Sequence, residues 1–447
     1  MALAHYKVVT HANRDISMYI EVESNKGNRY LFDGLSNEIY SLKPDFKITA
    51  GASRDSLGLP NIERFVTPDS QTESKLNNLA KTLIIELTEQ CNLRCTYCVF
   101  DDAYSKERSH SSTKLNISLA KEKIYNFYCR ANEDAYIIFY GGEPLLEFKE
   151  IIELTNYAKS LFSERVKFSF TTNGMALTED KFDFLIENDF LITVSLDGFK
   201  KNHDSKRITI NGNPSWDKIM NNLEKIKSYN SYFYDSKIII NSVINSIEDL
   251  ENINYEINHN LLLKGKEIRF SFPIQDAIIE TKKYNSFNSE NYAEIQKIFL
   301  NKKFLENSFY KDRLLPLVKK IAFRKLGNDA QNGKKKCVPF VNRTYVRSNG
   351  DIQFCERISS YKKVNDEKNL LKESEAIQKE FYDNKKESCS QCLAYNFCEL
   401  CPASFYYDGT FSSQHSQICN NFREEFFLAL KLYIDLSEIN IKFSDFK

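Results

Sequence analysis

The chain has 447 residues, which is enough for two or three domains and a large hydrophobic core. Its 61 lysines and arginines balance 61 aspartates and glutamates, so bulk charge does not favour a nucleic-acid or membrane-surface protein. No apolar run reaches the roughly 18 residues of a membrane-spanning helix, and the start, "MALAHYKVVTHANRDIS", lacks the continuous apolar stretch of a signal peptide. We therefore expect a soluble, cytoplasmic protein.

The eleven cysteines are grouped rather than spread along the chain. Three lie within residues 91–98, one is Cys129, and seven lie within residues 337–419. Structural disulfides are rare in a reducing cytoplasm, so both groups indicate metal binding or thiol chemistry. Cys129 lies in a helical pattern beside apolar residues, and we expect it to be buried.

The first part of the chain alternates between strand-like and helix-like segments. Residues 1–78 contain the runs "MYIEVES" and "RYLFDG", and we interpret them as an N-terminal region outside the main core and a possible peptide-recognition element. Residues 79–310 alternate between apolar, β-branched runs and amphipathic segments of helical period. The six strand-like runs are 82–87, 135–140, 167–172, 191–196, 237–244 and 267–274. This alternation predicts an α/β fold with parallel strands, either an incomplete (β/α) barrel or a doubly wound sheet.

Unusual residue clusters follow these strand-like runs one after another. Cys91 follows the first run, "GGEP" (141–144) the second, "TNG" (172–174) the third and "SLDG" (195–198) the fourth, and the stretch 241–245 closes the fifth. A single glycine pair after a strand is more often a plain turn. Because ligands bind at the carboxyl ends of parallel strands in both architectures, the repetition predicts a site at this edge of the sheet.

The rest of the chain divides into three further segments. A helical bridge and the basic stretch "KLGNDAQNGKKK" form a linker at residues 311–336. A cysteine-rich domain occupies residues 337–422, and a closing amphipathic helix occupies residues 423–447.

Two interpretations compete for Cys91, Cys95 and Cys98. Their spacing is that of one helix face, so in the first interpretation the thiols are core residues. Polar neighbours oppose it, since Asn92 and Thr96 favour loops and caps. In the second interpretation a loop wraps around an iron–sulfur cube, and three thiolates leave the fourth iron open to a small molecule.

The CxxxCxxC spacing resembles the cysteine loop of the radical S-adenosylmethionine (SAM) superfamily. The resemblance covers roughly residues 80–275 and implies a partial (β/α)6 barrel of the TIM type, with a [4Fe–4S] cluster on the three cysteines. It implies that SAM chelates the open iron through its amine and carboxylate. One electron then cleaves SAM to methionine and a 5′-deoxyadenosyl radical that abstracts hydrogen, and a partner such as flavodoxin or ferredoxin supplies that electron.

The same resemblance implies contacts to SAM outside the cysteine loop. An aromatic residue precedes the third cysteine, "GGEP" receives the SAM amine, and "SLDG" and "HDSKR" match the stretches that hold the ribose and the carboxylate. The implied cofactor-binding residues are Tyr97, Gly141, Gly142, Glu143, Ser195, Asp197 and Arg207. An arginine suits a carboxylate because it binds the two oxygens bidentately. The alternative for Arg207 is a surface position on a βα loop.

The cysteine-rich segment also has two interpretations. Its two CxxC pairs would make one four-thiolate zinc cage, which leaves three cysteines unexplained. The pattern instead resembles the SPASM extension of radical SAM enzymes that modify peptides and proteins, which carries two auxiliary [4Fe–4S] clusters. The resemblance implies an outer cluster on Cys389, Cys392, Cys398 and Cys419, and an inner cluster on Cys337, Cys355 and Cys401.

Two details separate this segment from the sulfatase-maturing relatives. Those relatives have an eighth cysteine soon after the first ligand, but "CVPFVNRTYVRSNG" has none, so the inner cluster is expected to keep an iron open to a substrate thiolate, another residue or water. Glu356 stands where those relatives have an aspartate base. It is a candidate catalytic base with a pKa tuned by burial, and a solvated surface glutamate is the alternative.

We therefore expect a radical SAM/SPASM maturase that installs a thioether or carbon-linked crosslink in a ribosomally made peptide. The alternative enzyme is an anaerobic sulfatase maturase that oxidises cysteine or serine to formylglycine. The missing eighth cysteine and the long N-terminal region count against it. A zinc-binding or electron-carrier module is the non-enzyme alternative, and it leaves "GGEP" and "SLDG" without a purpose.

Overall fold

A computed structural model describes most of the chain. The described residues are 18–48, 52–59, 81–98, 100, 110–131, 134–243, 253, 255–256, 258–266, 268–271, 314–326, 343–353, 355–356, 370–398, 400, 402–407, 410–412 and 417–445. Cys337 and Cys401, two of the three expected ligands of the inner cluster, lie outside them.

The secondary structure of the described residues alternates in the barrel region as expected. The strands are β1 (Tyr19–Glu23), β2 (Arg29–Asp33), β3 (Ile39–Leu42), β4 (Thr82–Thr88), β5 (Leu93–Cys95), β6 (Ala135–Gly141), β7 (Val166–Thr172), β8 (Leu191–Ser195), β9 (Arg207–Thr209), β10 (Ile238–Val243), β11 (Ile268–Ser271), β12 (Arg343–Val346), β13 (Ile352–Gln353), β14 (Tyr406–Tyr407) and β15 (Thr410–Phe411). The helices are α1 (Ile117–Tyr128), α2 (Phe148–Phe162), α3 (Phe182–Glu187), α4 (Lys200–Lys206), α5 (Trp216–Tyr229), α6 (Ser231–Lys237), α7 (Leu315–Ala322), α8 (Leu370–Ser390) and α9 (Gln417–Ser437).

Six parallel strands make up most of an eight-stranded sheet. Their order is β11-β10-β8-β7-β6-β4, and every neighbouring pair is parallel. Helices α1, α2, α3 and α5 lie between successive strands of the chain. The prediction of an α/β fold with parallel strands is confirmed, and this strand order is compatible with a partial barrel.

The core of this sheet explains why its strands read as nearly continuous apolar runs. In β4 every residue after Thr82 is buried, as expected for a parallel strand covered on both faces. Three aromatic rings from β6, β7 and the start of β8 stack beside it: the Phe168 centroid lies 6.3 Å from that of Phe139 and 5.4 Å from that of Phe190. Such offset stacking stabilises the fold in addition to the stability gained from burying apolar area.

A hairpin from the cysteine-rich segment extends the sheet beyond β4. Strand β12 runs parallel to β4, with Arg343 opposite Thr82 and Val346 opposite Ile85, and β13 returns antiparallel to β12. The barrel sheet and the first part of the cysteine-rich segment therefore share backbone hydrogen bonds.

Strands β1, β2 and β3 form a separate antiparallel sheet. Ile20, Val22 and Phe32 pack with α7 and α9 in an apolar cluster distinct from the barrel core. Lys431 on α9 donates a hydrogen bond to the carbonyl of Glu23 at 3.0 Å. The N-terminal sheet is thus attached to the end of the chain.

Cys129 is exposed, so the expectation of a buried thiol is wrong. It is the C-cap residue that follows α1, whereas Ala120, Ile124 and Phe127 form the buried face of that helix. None of the helices in the described ranges has both the length and the apolar character that crossing a lipid bilayer requires.

Candidate active site

The cysteine loop follows β4 directly and is not a helix. It contains the short strand β5 and a turn in which the Cys98 N–H donates to the Cys95 carbonyl at 3.0 Å. Cys91, Cys95 and Cys98 form no disulfide and are all partly accessible. The interpretation of these thiols as one face of a core helix is therefore wrong.

A two-stranded ribbon joins the cysteine loop to Arg207. Strand β5 pairs antiparallel with β9, and the register places Cys95 opposite Arg207. The Thr96 N–H also donates to the Lys206 carbonyl at 3.0 Å. Arg207 is 6% exposed, so it is a buried residue beside the thiols and not the surface residue of the alternative interpretation.

Two glycines let the "GGEP" turn lie against the start of the cysteine loop. A Cβ atom on Gly141 would lie 2.2 Å from the Thr88 carbonyl oxygen, and one on Gly142 would lie 2.3 Å from the Gln90 carbonyl oxygen. Gly141 also has a φ of 137°, which strains any residue with a side chain. Any larger residue would displace backbone here.

Glu143 is fully buried and connects the turn after β6 to the turn after β7. Its Oε1 accepts hydrogen bonds from Thr172 Oγ1 at 2.7 Å and the Leu145 N–H at 3.0 Å. Its Oε2 accepts from the Asn173 N–H at 2.7 Å. Burial raises the pKa of Glu143 to about 6, although these hydrogen bonds oppose the shift.

Asp197 organises the other side of the site. Its carboxylate accepts hydrogen bonds from Arg207 Nε at 2.8 Å, from the Val243 N–H at 2.9 Å and from the Tyr97 hydroxyl. The guanidinium of Arg207 also lies 5.3 Å from the centre of the Tyr97 ring. Burial alone would raise the pKa of Asp197, but Arg207 and the hydrogen bonds hold it below its usual value, so the pair stays charged. Ser195 ends β8 two residues before it.

His203 supports this arrangement and was not singled out by the sequence. It is fully buried; its Nδ1 accepts the Asp197 N–H at 3.2 Å, and its Nε2 lies 2.9 Å from Ser215 Oγ. Ser215 gives its only proton to the Arg207 carbonyl at 2.6 Å, which assigns the ring proton of His203 to Nε2. Burial lowers the pKa of His203 to about 4.

The donor set at the cysteine loop fits a [4Fe–4S] cluster. Three cysteines that form no disulfide lie in one short loop, and N–H groups point at two of their sulfurs. The Leu93 N–H lies 3.4 Å from Cys91 Sγ and Arg207 Nη1 lies 3.9 Å from Cys95 Sγ, the kind of donors that surround cluster thiolates. Burial raises the pKa of Cys91 to about 12, so a bound cationic group is needed to hold this sulfur as a thiolate. In the described ranges no three His, Cys, Asp or Glu side chains have the spacing of a single-ion site.

The described cysteines of the C-terminal segment come from separate elements. Cys389 lies in the last turn of α8, and the Cys392 N–H donates to its carbonyl at 3.1 Å. Lys385, also on α8, is 1% exposed. Burial lowers its pKa, while Cys419 and Cys389 both act to raise it, so these two cysteines lie close to one ammonium. With Cys398, all four expected ligands of the outer cluster are described, and none of them forms a disulfide.

Cys355 and Glu356 follow the hairpin of β12 and β13. Glu356 accepts a hydrogen bond from Arg343 at 2.8 Å and lies 3.3 Å from Cys355 Sγ. The register places Arg343 opposite the first residue of β4, whereas Cys91 lies after the end of that strand. Seven residues of β4 separate the two levels, which is about 20 Å at the usual rise of a strand.

Comparison with known proteins agrees with this geometry. Residues 85–253 match the Radical SAM superfamily. The chain is 27% identical to the cysteine-type anaerobic sulfatase-maturating enzyme of Clostridium novyi (strain NT) over 342 residues, which cover 71% of this chain and 86% of that enzyme. It is 28% identical to the radical SAM cyclopropyl synthase TigE of Paramaledivibacter caminithermalis over 174 residues, which cover 37% of this chain and 35% of that enzyme.

A solved structure has the same fold. Native anSMEcpe with bound AdoMet and Cp18Cys peptide superposes with a TM-score of 0.57 at 21% sequence identity, covering 81% of this chain and 100% of that chain.

Proposed function

This protein carries a radical SAM domain at residues 85–253 and is an enzyme that cleaves SAM, and from that premise we propose that it is a peptide maturase. Radical SAM domains bind a [4Fe–4S] cluster and SAM. The proposed reaction forms a thioether or a carbon-linked crosslink in a ribosomally made peptide. One observation carries the proposal: three cysteines, a glycine turn and a buried Asp197–Arg207 pair meet at the carboxyl edge of the parallel strands.

The residues of this edge have distinct proposed tasks. Cys91, Cys95 and Cys98 would hold the cluster. When bound, the cluster supplies the electron that cleaves the sulfonium C–S bond of SAM to a 5′-deoxyadenosyl radical. Arg207 would bind the SAM carboxylate. The Asp197 carboxylate would hold the Arg207 guanidinium in place, since Nε and Nη2 of Arg207 lie 2.8 and 3.4 Å from the Asp197 oxygens.

The remaining proposed contacts to SAM are inferred from where the residues lie along the carboxyl edge of the parallel strands. The carbonyl groups of Gly141 and Gly142 would receive the SAM amine. Tyr97 and Ser195 would contact the adenosine, because both flank the Asp197–Arg207 pair. Glu143 would support the glycine turn from behind through its bonds to Thr172 and Asn173.

The auxiliary cysteines support a peptide substrate. Cys389, Cys392, Cys398 and Cys419 would hold an outer cluster near Lys385, and Cys355 would be one ligand of an inner cluster. Clusters of this kind accept the electron left on a substrate radical or bind a substrate thiolate, since iron–sulfur potentials span a wide range. The solved structure of anSMEcpe, which has the same fold, contains a bound peptide. A partner such as flavodoxin or ferredoxin would supply the reducing electron.

A sulfatase maturase is the second candidate. The 27% sequence identity to the Clostridium novyi enzyme, which extends over 86% of that enzyme, favours the sulfatase maturase. The sequence between Cys337 and Cys355 contains no further cysteine, which favours the crosslinking maturase. Glu356 would serve as base in either reaction only for a substrate atom near the start of β4, because about 20 Å along that strand separates it from the level of Cys91, and its link to Arg343 would hold it there.

The test begins with SAM cleavage by anaerobically purified, reconstituted protein. We expect close to three cubane clusters and, with dithionite, production of 5′-deoxyadenosine. Replacing Cys91, Cys95 and Cys98 with alanine should abolish cleavage, while replacing Cys389 and Cys392 should spare it and block peptide modification. The matched control is Cys129→Ala, because Cys129 is exposed and outside both sites. Cleavage by the triple variant would refute the site.

The substrate is tested by mass spectrometry. The protein is coexpressed with the small peptide encoded beside its gene, and separately incubated with a sulfatase-derived cysteine peptide. Loss of two hydrogen atoms from the first peptide supports the crosslink. Replacement of the thiol sulfur by oxygen together with loss of two hydrogen atoms in the second, which is the change from cysteine to formylglycine, with no change in the first, would replace this proposal with the sulfatase maturase.

A further inference from the structure

Asn173 lies directly behind the cysteine loop, and it has no role in the proposed SAM contacts. It follows β7, is 7% exposed, and its Nδ2 lies 3.7 Å from Cys91 Sγ and 2.7 Å from Asn92 Oδ1. We propose that Asn173 is a positioning residue that donates a hydrogen bond to the Cys91 thiolate and thereby raises the reduction potential of the SAM-binding cluster. This inference rests on the proposed cluster at Cys91, Cys95 and Cys98.

The orientation of the Asn173 amide is fixed by its neighbours. Its Oδ1 accepts the Met175 N–H at 2.9 Å, so the oxygen is turned away from the sulfur and the NH2 group is turned toward it. Its own backbone N–H donates to the buried Glu143 carboxylate at 2.7 Å. Both the main chain and the side chain of Asn173 are therefore held in one conformation, and the donor does not have to be ordered when the cluster binds.

The donor acts on the energy of the reduced state. One-electron reduction by a low-potential donor adds one negative charge to the cluster, and part of that charge resides on the thiolate sulfurs. An N–H group pointing at a sulfur stabilises the more negative state and so raises the potential. Arg207 Nη1 at 3.9 Å from Cys95 Sγ acts in the same direction, and the Leu93 N–H adds a second donor to Cys91.

Three variants separate this role from a structural one. Asn173→Ala removes the donor. Asn173→Asp keeps the shape and the acceptor for Met175 but places a carboxylate oxygen toward the sulfur. The matched control is Asn222→Ala, because Asn222 is also buried and donates to the Gly174 and Met175 carbonyls of the same turn, without contact to a thiol.

The measurement is a redox titration of the full-length, reconstituted protein, followed by EPR. The signal that changes on addition of SAM identifies the cluster at the cysteine loop. At a fixed potential we expect the reduced-to-oxidised ratio to fall about fivefold in Asn173→Ala, equivalent to the ~1 kcal/mol of one hydrogen bond. The ratio should fall further in Asn173→Asp and remain at the wild-type value in Asn222→Ala.

The outcomes distinguish this inference from the proposed function. If wild-type protein shows no SAM-responsive signal, the proposed function and this inference both fail. If the signal is present but both Asn173 variants keep the wild-type midpoint, only this inference fails. An equal shift in Asn222→Ala also overturns it, because the effect then belongs to the turn and not to the donor. If Asn173→Ala does not hold iron, the isosteric Asn173→Asp decides the result.

Discussion

His203 is the residue through which pH should affect this fold most directly. Its folded-state pKa of about 4 lies below its ordinary value of 6.5, chiefly because the ring is buried. Between those two values the unfolded chain binds a proton that the folded protein does not, so stability is lost as the pH falls from about 6.5 to 4. The loss at the acidic end is about 3 kcal/mol.

Urea unfolding at pH 7 and at pH 5 tests this expectation against His203→Asn. The asparagine carbonyl can still accept the Asp197 N–H, but the side chain has no proton to gain. The difference in stability between the two pH values should be smaller in the variant than in the wild type. Equal differences would show that other groups cause the acid sensitivity.

The parts of the candidate site that consist of short sequence motifs could be predicted from the sequence. The spacing of Cys91, Cys95 and Cys98 and the "GGEP" turn indicated the edge of the sheet where the structure places them. The role of Asn173 was not predictable, because it depends on a contact with a residue far away in the chain: 82 positions separate Asn173 from Cys91. The role of His203 depends on nearby residues, Asp197 and Ser215, but no spacing motif marks that arrangement. The ribose contact expected for Asp197 stays a prediction.

At the scale of secondary structure elements, β12 is the strand that the sequence could not place. Its partner β4 lies about 260 residues earlier in the chain, and neither strand carries a signal for a pairing at that separation. The alternating pattern of residues 79–310 was sufficient for the six parallel strands, because each of those strands pairs with one nearby in the chain. The pairing of β5 with β9 was not predicted for the same reason: neither strand carries a sequence signal for a partner so far away in the chain.

Two buried glutamates hold β12 against the barrel, and Arg347 lies between them. Arg347 Nη2 is 3.4 Å from Glu89 Oε1 and its Nε is 4.0 Å from Glu86 Oε2. The Ser348 N–H and hydroxyl donate to the same two carboxylates at 3.1 Å each. The hairpin is therefore attached to the barrel both by backbone hydrogen bonds between β12 and β4 and by ion pairs between Arg347 and the two glutamates.

Arg347→Ala should lower the free energy of unfolding by about 2 kcal/mol, because it leaves two buried carboxylates without their cation. Lys379→Ala is the matched control. The Lys379–Asp383 pair is 2.6 Å long but 74% and 61% exposed, so its loss should cost about 0.5 kcal/mol or less. Thermal and urea unfolding of both variants give the comparison. A change in Arg347→Ala no larger than the control would mean that the uncharged donors of Ser348 and Ser111 satisfy the carboxylates.

At the scale of the whole molecule, the N-terminal sheet contacts the loop that carries the outer cysteines. A Cβ atom on Gly34 would lie 2.8 Å from Leu393 Cδ2 and 3.1 Å from Leu393 Cα, one residue after Cys392. Asn396 Nδ2 donates to Asn37 Oδ1 at 2.9 Å. The turn that follows β2 therefore packs directly against the loop that runs from Cys392 to Cys398.

This packing should make the proposed outer cluster depend on the N-terminal sheet. Gly34→Val should displace Leu393 and Cys392 and remove one cluster's worth of iron, while SAM cleavage continues because the Cys91 loop belongs to the barrel. Gly27→Ala is the control, since Gly27 lies in the β1–β2 turn with nothing within 4 Å of its would-be Cβ. It should cost about 1 kcal/mol of stability through its φ of 79° and keep all its iron. Iron and sulfide analysis with a 5′-deoxyadenosine assay measures both effects. Full iron content in Gly34→Val, or a parallel loss of SAM cleavage, would contradict a supporting role confined to the outer cysteine loop.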